Sequence, residues 1–260
     1  IGEYIVLLDH DDELRPHSLL RIAETLKKNS KIQFVYSDED KIDEVNNRFQ
    51  PYFKPDWNPE FLLSQNYICH LACIKKDLIE DAGGFRVGYE GSQDWDLFLR
   101  VTEKLKPDKI SHIPEILYHW RSYAASTASS LKNKEYAIGA AQKSLNDYLV
   151  RNKIKGKISK LNERANYWKI KYDIPQKTPQ VSIIIPTKDK KEILKVCVDS
   201  ILSKTNYSNY EILIVDNDTT DPESMVYLQN LDKKNIIKVI KNFGKFNYSR
   251  LNNNAAKHAK

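Results

Sequence analysis

The sequence has few of the residues that build disulfide frameworks, and it has no long apolar run. Its three cysteines, Cys69, Cys73 and Cys197, are an odd number at a spacing unlike that of a zinc ribbon, so we interpret them as reduced, packed thiols. No apolar stretch approaches the roughly 18 residues that cross a membrane, and residues 1–8 have neither the length nor the basic flank of a signal segment. These absences favour a cytoplasmic chain.

Low-complexity tracts and solenoid repeats are also missing from the sequence. The chain has 260 residues, of which 41% are hydrophobic and 10% aromatic. It is therefore long enough for one large or two modest cores, and its composition excludes the disordered class.

The positive charge of the chain is concentrated in one segment. The net charge is +6, but residues 132–171 alone hold eleven Lys or Arg against three Asp or Glu, a local balance of +8 that leaves −2 for the rest. We interpret residues 133–150 as an amphipathic helix and residues 153–171 as a basic connector that is mainly a solvated linker; the alternative is a surface that docks on anionic lipid headgroups. No recognition helix, RNP motif or zinc finger accompanies it, so we expect no nucleic-acid partner.

Three carboxylates directly follow the apolar strand pattern of residues 4–8. Asp9 and Asp11 lie two residues apart and point the same way on an extended backbone, and the turn that follows could fold Asp12 toward them. Such oxygens suit Mg²⁺ or Mn²⁺, which usually keeps coordination positions for phosphate oxygens. The alternative is a solvated turn whose aspartates cap the helix that begins near Pro16.

A second acidic pair, Asp94 and Asp96, follows a glycine-containing loop and opens a helical pattern that continues to Val101. A carboxylate at a helix N-terminus is favoured electrostatically, so either residue also fits a capping role. Two acidic loop ends in one domain nevertheless fit a metal site beside a general base.

Five motifs between residues 4 and 127 resemble, in the same order, the second half of a family 2 glycosyltransferase domain. The resemblance implies the GT-A fold, a Rossmann-like α/β fold with a mixed, mainly parallel sheet and flanking helices. The motifs are LLDHDDEL (7–14), YSDEDKID (36–43), FKPDWNPEFLLSQNYICH (53–70), GGFRVGYEGSQDWDLFLRV (83–101) and IPEILYHWRSYAAST (113–127).

A strand, helix, strand pattern begins after Pro179. The apolar strands at residues 181–185 and 212–215 both end in polar loops, where the ligand site of an open parallel sheet lies. This pattern resembles the first, nucleotide-binding half of the same fold.

For the nucleotide-binding half, the resemblance implies that Pro186, Thr187 and Asp189 line the nucleotide of a diphosphate-sugar donor. It also implies that Asp216 contacts the base of that nucleotide.

For the metal-binding half, the resemblance implies Mg²⁺ or Mn²⁺ held by Asp11, with Asp9 contacting the ribose or the metal through water. It makes Asp94 the candidate general base of an inverting transfer. His119 is a further candidate ligand, with a packed, hydrogen-bonded histidine as the alternative. Asp38, Glu39 and Asp40 resemble an acidic loop of the family near the acceptor, or form a solvated turn.

These resemblances give an unusual domain order. We expect residues 1–150 to be the second, metal- and acceptor-binding half of one domain, residues 151–179 a basic linker, and residues 180–260 the first half of a following domain. This order is typical of a piece of a larger bacterial protein with tandem glycosyltransferase domains. We also predict that the two halves close into one permuted unit, with Asp11 and Asp216 on the same edge of a continuous sheet.

The predicted function is transfer of a sugar from a nucleotide diphosphate to a growing cell-surface polysaccharide of the O-antigen or rhamnan type. The partners would be the nucleotide-sugar donor and a saccharide or lipid-linked saccharide acceptor, at the cytoplasmic face of the cell membrane. One rival function is a non-catalytic fragment that binds nucleotide sugar or polysaccharide, because neither half alone holds both the nucleotide loop and the metal motif. Another is a scaffold on the membrane surface.

Overall fold

The computed structural model describes residues 2–122, 132–161 and 167–260. The chain divides into two compact units, Ile1–Asp173 and Ile174–Lys260, called unit 1 and unit 2 below. Residues 123–127, the last five of the fifth motif, lie outside the described residues. No helix in the described ranges has both the length and the hydropathy of a membrane span.

Strands and helices alternate through unit 1. Helix α2 shows how the sequence sets these elements: Asn58 accepts a hydrogen bond from the backbone N–H of Phe61, and Pro59 occupies the first helical position. The strands are β1 (Tyr4–Leu7), β2 (Glu13–Leu14), β3 (Phe34–Ile42), β4 (Arg48–Tyr52), β5 (Ala72–Lys75), β6 (Ile110–Arg121), β7 (Gly156–Lys160) and β8 (Trp168–Tyr172). The helices are α1 (Ser18–Lys28), α2 (Pro59–Ser64), α3 (Lys76–Asp81), α4 (Gln93–Thr102) and α5 (Lys132–Arg151), with a 3₁₀ turn at Pro107–Lys109.

A six-stranded mixed sheet forms the centre of unit 1. Its strand order is β1-β5-β3-β6-β2, and β4 pairs with β3 at one end. Strands β3 and β6 run parallel, whereas the other pairs are antiparallel. The turn that follows β1 and the end of β6 both reach the candidate site described below.

The main core of unit 1 lies between this sheet and the helices α2, α4 and α5. Helix α4 is buried from Trp95 to Thr102. Its fully buried Asp96 is ion-paired with Arg86 and Arg100, as a charge inside a core must be. These pairs anchor the first turn of α4, which carries the candidate base.

The basic segment that we predicted as a linker is largely part of unit 1. Strands β7 and β8 form an antiparallel hairpin, and Trp168, Ile158 and Ile170 pack against the main core. Trp168 is only 3% exposed. The lysines of the hairpin alternate with these apolar residues, so one face is buried while the charge stays on the other. The boundary between the units falls at residues 173 and 174.

Unit 2 is a parallel α/β layer. Its elements are β9 (Val181–Thr187), α6 (Lys191–Lys204), β10 (Tyr210–Asp216), α7 (Pro222–Asp232), β11 (Ile237–Lys241) and α8 (Tyr248–Ala256). The strand order is β11-β10-β9. The central strand β10 is buried on both faces, which explains its continuous apolar sequence.

The prediction of one continuous sheet was wrong. In the described ranges, β9, β10 and β11 hydrogen-bond only with one another, and β1 to β6 form a separate sheet. Each sheet covers its apolar faces with helices of its own unit, so neither needs the strands of the other to complete a core. The α/β class with flanking helices is nevertheless as predicted.

Candidate functional site

Asp9, Asp12 and His70 come together at the end of β1. One ligand atom from each residue lies within 4.8 Å of the others, and no other trio of His, Cys, Asp or Glu in the described ranges meets this condition. The backbone N–H of Asp12 donates to the carbonyl of Asp9 at 3.3 Å, so the chain turns back after β1 and carries Asp12 toward Asp9. These three residues form the metal-type cluster of unit 1.

Asp12 is held in place from strand β6. It accepts hydrogen bonds from the hydroxyl of Tyr118 and, at 2.7 Å, from the backbone N–H of Arg121. Burial is the main cause of a raised pKa of Asp12, although these hydrogen bonds oppose it.

Asp11, which the sequence predicts as a metal ligand together with Asp9, lies outside the metal-type cluster. Its carboxylate lies 3.8 Å from His10 Nδ1, and its carbonyl accepts from Arg121 Nε at 2.9 Å. The reason is the turn at residues 10 and 11. The alternation of an extended strand stops there, so residues two apart no longer share a side.

His70 is the member of the cluster that the sequence did not predict. Its ring stacks on Tyr118 with centroids 4.5 Å apart, and its Nε2 lies 3.8 Å from Asp9 Oδ2. Its Nδ1 lies 3.4 Å from Glu39 Oε2, and its backbone N–H donates to that same oxygen at 3.0 Å. Burial alone would lower the pKa of His70, but the Glu39 carboxylate outweighs burial and raises it.

Behind His70 lies a buried ion pair between Lys54 and Glu39. The ammonium of Lys54 is fully buried, 3.2 Å from Glu39 Oε2, and donates to the carbonyls of Ile68 and His70. Burial lowers the pKa of Lys54, and Glu39 only partly opposes this. Burial would raise the pKa of Glu39, but the charge of Lys54 and the contact with His70 lower it overall. The pair therefore fixes the backbone that carries His70.

His119, which we predicted as a metal ligand, lies away from the metal-type cluster. Its Nδ1 is hydrogen-bonded to the buried carboxylate of Asp40, which also accepts from Arg48 Nε at 2.6 Å. Side chains alternate along β6, so Tyr118 and Trp120 face His70 while His119 faces the other way. The packed, hydrogen-bonded alternative describes His119 in this structure.

Asp94 lines the same cavity as two members of the metal-type cluster, Asp9 and His70. This open cavity, of about 430 Å³, is called the Asp94 cavity and is lined by Leu7, Asp9, Gln65, Asn66, Cys69, His70, Phe85, Gly91, Ser92, Gln93, Asp94, Trp95 and Trp120. Asn66 Nδ2 donates to Asp94 Oδ2 at 2.6 Å. Burial raises the pKa of Asp94, while its hydrogen bonds and the charge of His70 oppose that shift. Asp94 is half-buried, and a carboxylate that has lost part of its hydration is a stronger proton acceptor than a fully exposed one.

The acidic run that we expected in a loop lies inside strand β3. Asp38, Glu39 and Asp40 are all less than 10% exposed. Each is paired with a cation or an imidazole, and His112 Nε2 lies 2.8 Å from Asp38 Oδ1. Sequence reasoning missed this because a run of acids normally indicates solvent, and their partners lie far away in the chain.

In unit 2, four predicted nucleotide contacts lie at the carboxyl ends of β9 and β10. Pro186 and Thr187 pair in register with Val215 and Asp216. Asp216 accepts from the backbone N–H of Thr219 at 2.9 Å. It also lines a cavity of about 170 Å³ between β11 and α7.

Asp189 has a local structural contact. Its carboxylate accepts hydrogen bonds from the backbone N–H groups of Thr220 and Asp221, at 2.6 and 2.8 Å, which lower its pKa. It does not line the cavity beside Asp216. The residue therefore ties the loop after β9 to the loop before α7.

Comparison with known proteins gives a family match in unit 2. Residues 182–260 match the family model described as Glycosyl transferase family 2. The apo structure of the WbbM bifunctional glycosyltransferase aligns over 96% of this chain and 52% of its own, at 8% identity and a TM-score of 0.21, a similarity too low to inform the fold.

Whole-chain relatives are much longer proteins. Uncharacterized protein y4gI of Sinorhizobium fredii (strain NBRC 101917 / NGR234) is 37% identical over 98% of this chain and 28% of the relative. O-antigen biosynthesis protein RfbC of Myxococcus xanthus is 34% identical over 99% of this chain and 20% of the relative. An uncharacterized glycosyltransferase of Haemophilus influenzae (strain ATCC 51907 / DSM 11121 / KW20 / Rd) is 25% identical over 51% of this chain and 48% of the relative.

The alignments with y4gI and RfbC extend over both units, whereas the family model covers unit 2 alone. The resemblance stated from the motifs is thereby confirmed, and the match supports the GT-A class of fold. Residues 182–260 match glycosyl transferase family 2, and the whole chain is similar to part of two longer proteins, of which it spans 28% and 20%.

Proposed function

We propose that unit 1 is the metal- and acceptor-binding part of an inverting glycosyltransferase that extends a cell-surface polysaccharide. The observation that carries this proposal is that Asp9, His70 and Asp94 line one open cavity. The choice of a polysaccharide as the product is supported by the relative described as an O-antigen biosynthesis protein, of which the chain spans 20%.

The donor atoms of the metal-type cluster fit a divalent metal. Carboxylates from Asp9 and Asp12 with one imidazole suit Mn²⁺ or Mg²⁺ better than a soft-metal site rich in thiolates would. Nε2 of His70 faces Asp9 Oδ2 at 3.8 Å, and the stacked Tyr118 ring fixes the imidazole plane. When bound, such an ion supplies positive charge that stabilises the departing diphosphate.

In this proposal, Asp94 acts as the general base. It would take the proton of the acceptor hydroxyl while that oxygen attacks the anomeric carbon from the side opposite the diphosphate. The bond to the diphosphate breaks as the new glycosidic bond forms, so the anomeric configuration inverts. The hydrogen bond from Asn66 orients the carboxylate, and burial raises its pKa and so its basicity.

Unit 2 is proposed to be the nucleotide-binding half of a following domain. Thr187 and Asp216 end adjacent parallel strands, and ligands of open α/β sheets bind at that edge. The small cavity beside Asp216 supports this role.

A direct test uses the full-length protein with a panel of nucleoside diphosphate sugars, Mn²⁺ and acceptor oligosaccharide from the organism's own surface polysaccharide. We expect released nucleoside diphosphate, loss of the reaction with chelator, and a product whose anomeric configuration is opposite to that of the donor by NMR. Transfer that keeps the configuration, or that is unaffected by chelation, would contradict the proposal.

The rival function is a fragment that binds nucleotide sugar or saccharide without turnover. It is favoured by one observation: the metal-type cluster lies in unit 1, whereas the nucleotide-type strand ends lie in unit 2, in a different sheet. Saturable binding of a nucleotide sugar by the full-length protein, without any released nucleoside diphosphate, would support this alternative.

A further inference from the structure

A second cavity adjoins the Asp94 cavity. It measures about 390 Å³ and is called the Tyr52 cavity; it is lined by Glu39, Asp40, Lys41, Gln50, Pro51, Tyr52, Gln65, Asn66, Cys69, Trp120 and Tyr167. Four lining residues, Gln65, Asn66, Cys69 and Trp120, are common to both cavities. The two spaces therefore meet along a shared rim and form one groove that starts at Asp94.

The side chains of the Tyr52 cavity have the chemistry of a sugar site. Tyr52, Trp120 and Tyr167 offer aromatic faces for the C–H side of a pyranose. Gln50 and Gln65 offer amide donors and acceptors for its hydroxyls. The lining also holds two acids, Glu39 and Asp40, against one lysine, Lys41, so it suits an uncharged saccharide better than a phosphate.

These side chains are held in place before any ligand binds. Gln65 Nε2 donates to the Tyr52 hydroxyl at 3.0 Å. Lys41 Nζ donates to Gln50 Oε1 at 2.9 Å and lies 5.3 Å from the Trp120 ring centroid. A site ordered in advance loses less conformational entropy on binding.

Consecutive residues connect the groove to the reacting centre. Gln65 contacts Tyr52, whereas Asn66 donates to the carboxylate of Asp94. An acceptor whose hydroxyl reaches Asp94 can therefore continue over this rim into the Tyr52 cavity. The volume of each cavity falls within the roughly 300–1,000 Å³ of small-molecule sites.

We propose that the Tyr52 cavity is an acceptor subsite that holds the sugar next to the one receiving the transferred residue. The acceptor is then an oligosaccharide of at least two units rather than a monosaccharide. This inference rests on the proposed transferase function of the Asp94 cavity.

The test compares the wild-type full-length protein with Gln50→Gly/Tyr167→Ala. Glycine suits the positive φ of 46° at Gln50, and Tyr167 is exposed. Tyr172→Ala, on the same hairpin but outside both cavities, is the matched control. The probes are mono-, di- and trisaccharide fractions released by mild acid from the organism's surface polysaccharide, titrated by calorimetry and assayed for transfer with Mn²⁺.

We expect wild type and the control to bind the disaccharide about tenfold more tightly than the monosaccharide, with a lower KM. The double variant should lose that gain while its monosaccharide binding stays unchanged. Equal affinity for both lengths in wild type, or a gain that survives the double variant, would overturn the subsite. Length-dependent binding without any transfer would contradict the proposed function and leave the saccharide subsite standing.

Discussion

Tyr118, His119 and Trp120 alternate across strand β6, and this alternation decides which histidine meets the carboxylates. Tyr118 stacks on His70 and donates to Asp12, whereas His119 is paired with Asp40. The candidate metal site therefore depends on a loop histidine and on the ring behind it.

At the residue scale, we predict that His70→Ala weakens Mn²⁺ binding by the full-length protein about 10- to 100-fold, the range seen when groups that support a metal site are removed. His119→Gln, which keeps a hydrogen bond to Asp40, should leave the affinity unchanged. Calorimetric titration with Mn²⁺ measures both. Normal Mn²⁺ affinity in His70→Ala, together with lost affinity in His119→Gln, would contradict this prediction. It would favour His119 as the metal ligand, as the sequence predicts.

The two neighbouring aspartates give a matched pair for the same titration. Asp12→Asn should weaken Mn²⁺ binding because Asp12 lies in the metal-type cluster. Asp11→Asn should have the smaller effect because its carboxylate lies outside that cluster. A larger loss in Asp11→Asn would favour the pairing of Asp9 with Asp11 that the sequence predicts.

The pH dependence of transfer should report the protonation of Asp94. A base acts in its deprotonated form, so activity is present above its pKa and is lost as the pH falls through it. Since burial raises this pKa, the acidic limb of kcat/KM should lie above the ordinary aspartate value of about 3.9. A limb at or below that value would contradict the assignment. Asp108→Asn, in the 3₁₀ turn before β6, is the control. Its acidic limb of kcat/KM should lie at the same pH as in wild type.

Part of the site could be predicted from sequence at this scale. Asp9 and Asp94 stand at the ends of a strand and a glycine-containing loop, and local pattern is enough to find them. His70 could not be found in this way, since its contacts with Asp9 and Tyr118 join residues far apart in the chain. Glu39 was predicted in a loop because a buried acid is recognised only from its distant partner, Lys54.

At the scale of elements, the hairpin β7–β8 should contribute to the stability of unit 1. We predict that Trp168→Ala lowers the free energy of unfolding by about 3–5 kcal/mol, as is usual for a buried aromatic residue. Chemical denaturation followed by circular dichroism measures this loss. Lys169→Ala, on the exposed face of the same strand, should change it by less than about 0.5 kcal/mol.

If Trp168→Ala is as stable as wild type, the hairpin does not contribute to the core. That result would favour the solvated linker that the charge of this segment indicates. The strand signal was present in the sequence, because Trp168 and Ile170 alternate with Lys169 and Lys171. The high local charge masked it. In unit 2 no such conflict arose, and the apolar strands β9 and β10 match the prediction closely.

At the scale of the whole molecule, the division into two units should be visible by limited proteolysis. Residues 173–180 have no regular secondary structure, and Lys177 is exposed. We predict that brief trypsin treatment yields fragments 1–177 and 178–260, identified by mass spectrometry. Lys177→Gln should remove this cleavage. First cuts inside β9 or β10 would contradict the boundary.

The fold class and the family match of residues 182–260 could be predicted, because motif order and strand pattern are local properties of the sequence. Which strands share a sheet could not be predicted from the sequence. Both units have strands that would suit a common sheet, and only the hydrogen-bond registers, such as Tyr4 with Lys75 and Val181 with Tyr210, show two separate ones.

The central claim is that Asp94 is the base of a metal-assisted sugar transfer. The measurement that tests it most directly is turnover by Asp94→Asn in the full-length protein, with donor and Mn²⁺ affinity measured in parallel. A base acts in the transition state, so we predict a loss of kcat of about 10²–10⁴-fold with donor affinity nearly unchanged. Turnover by Asp94→Asn at the wild-type rate would contradict the account.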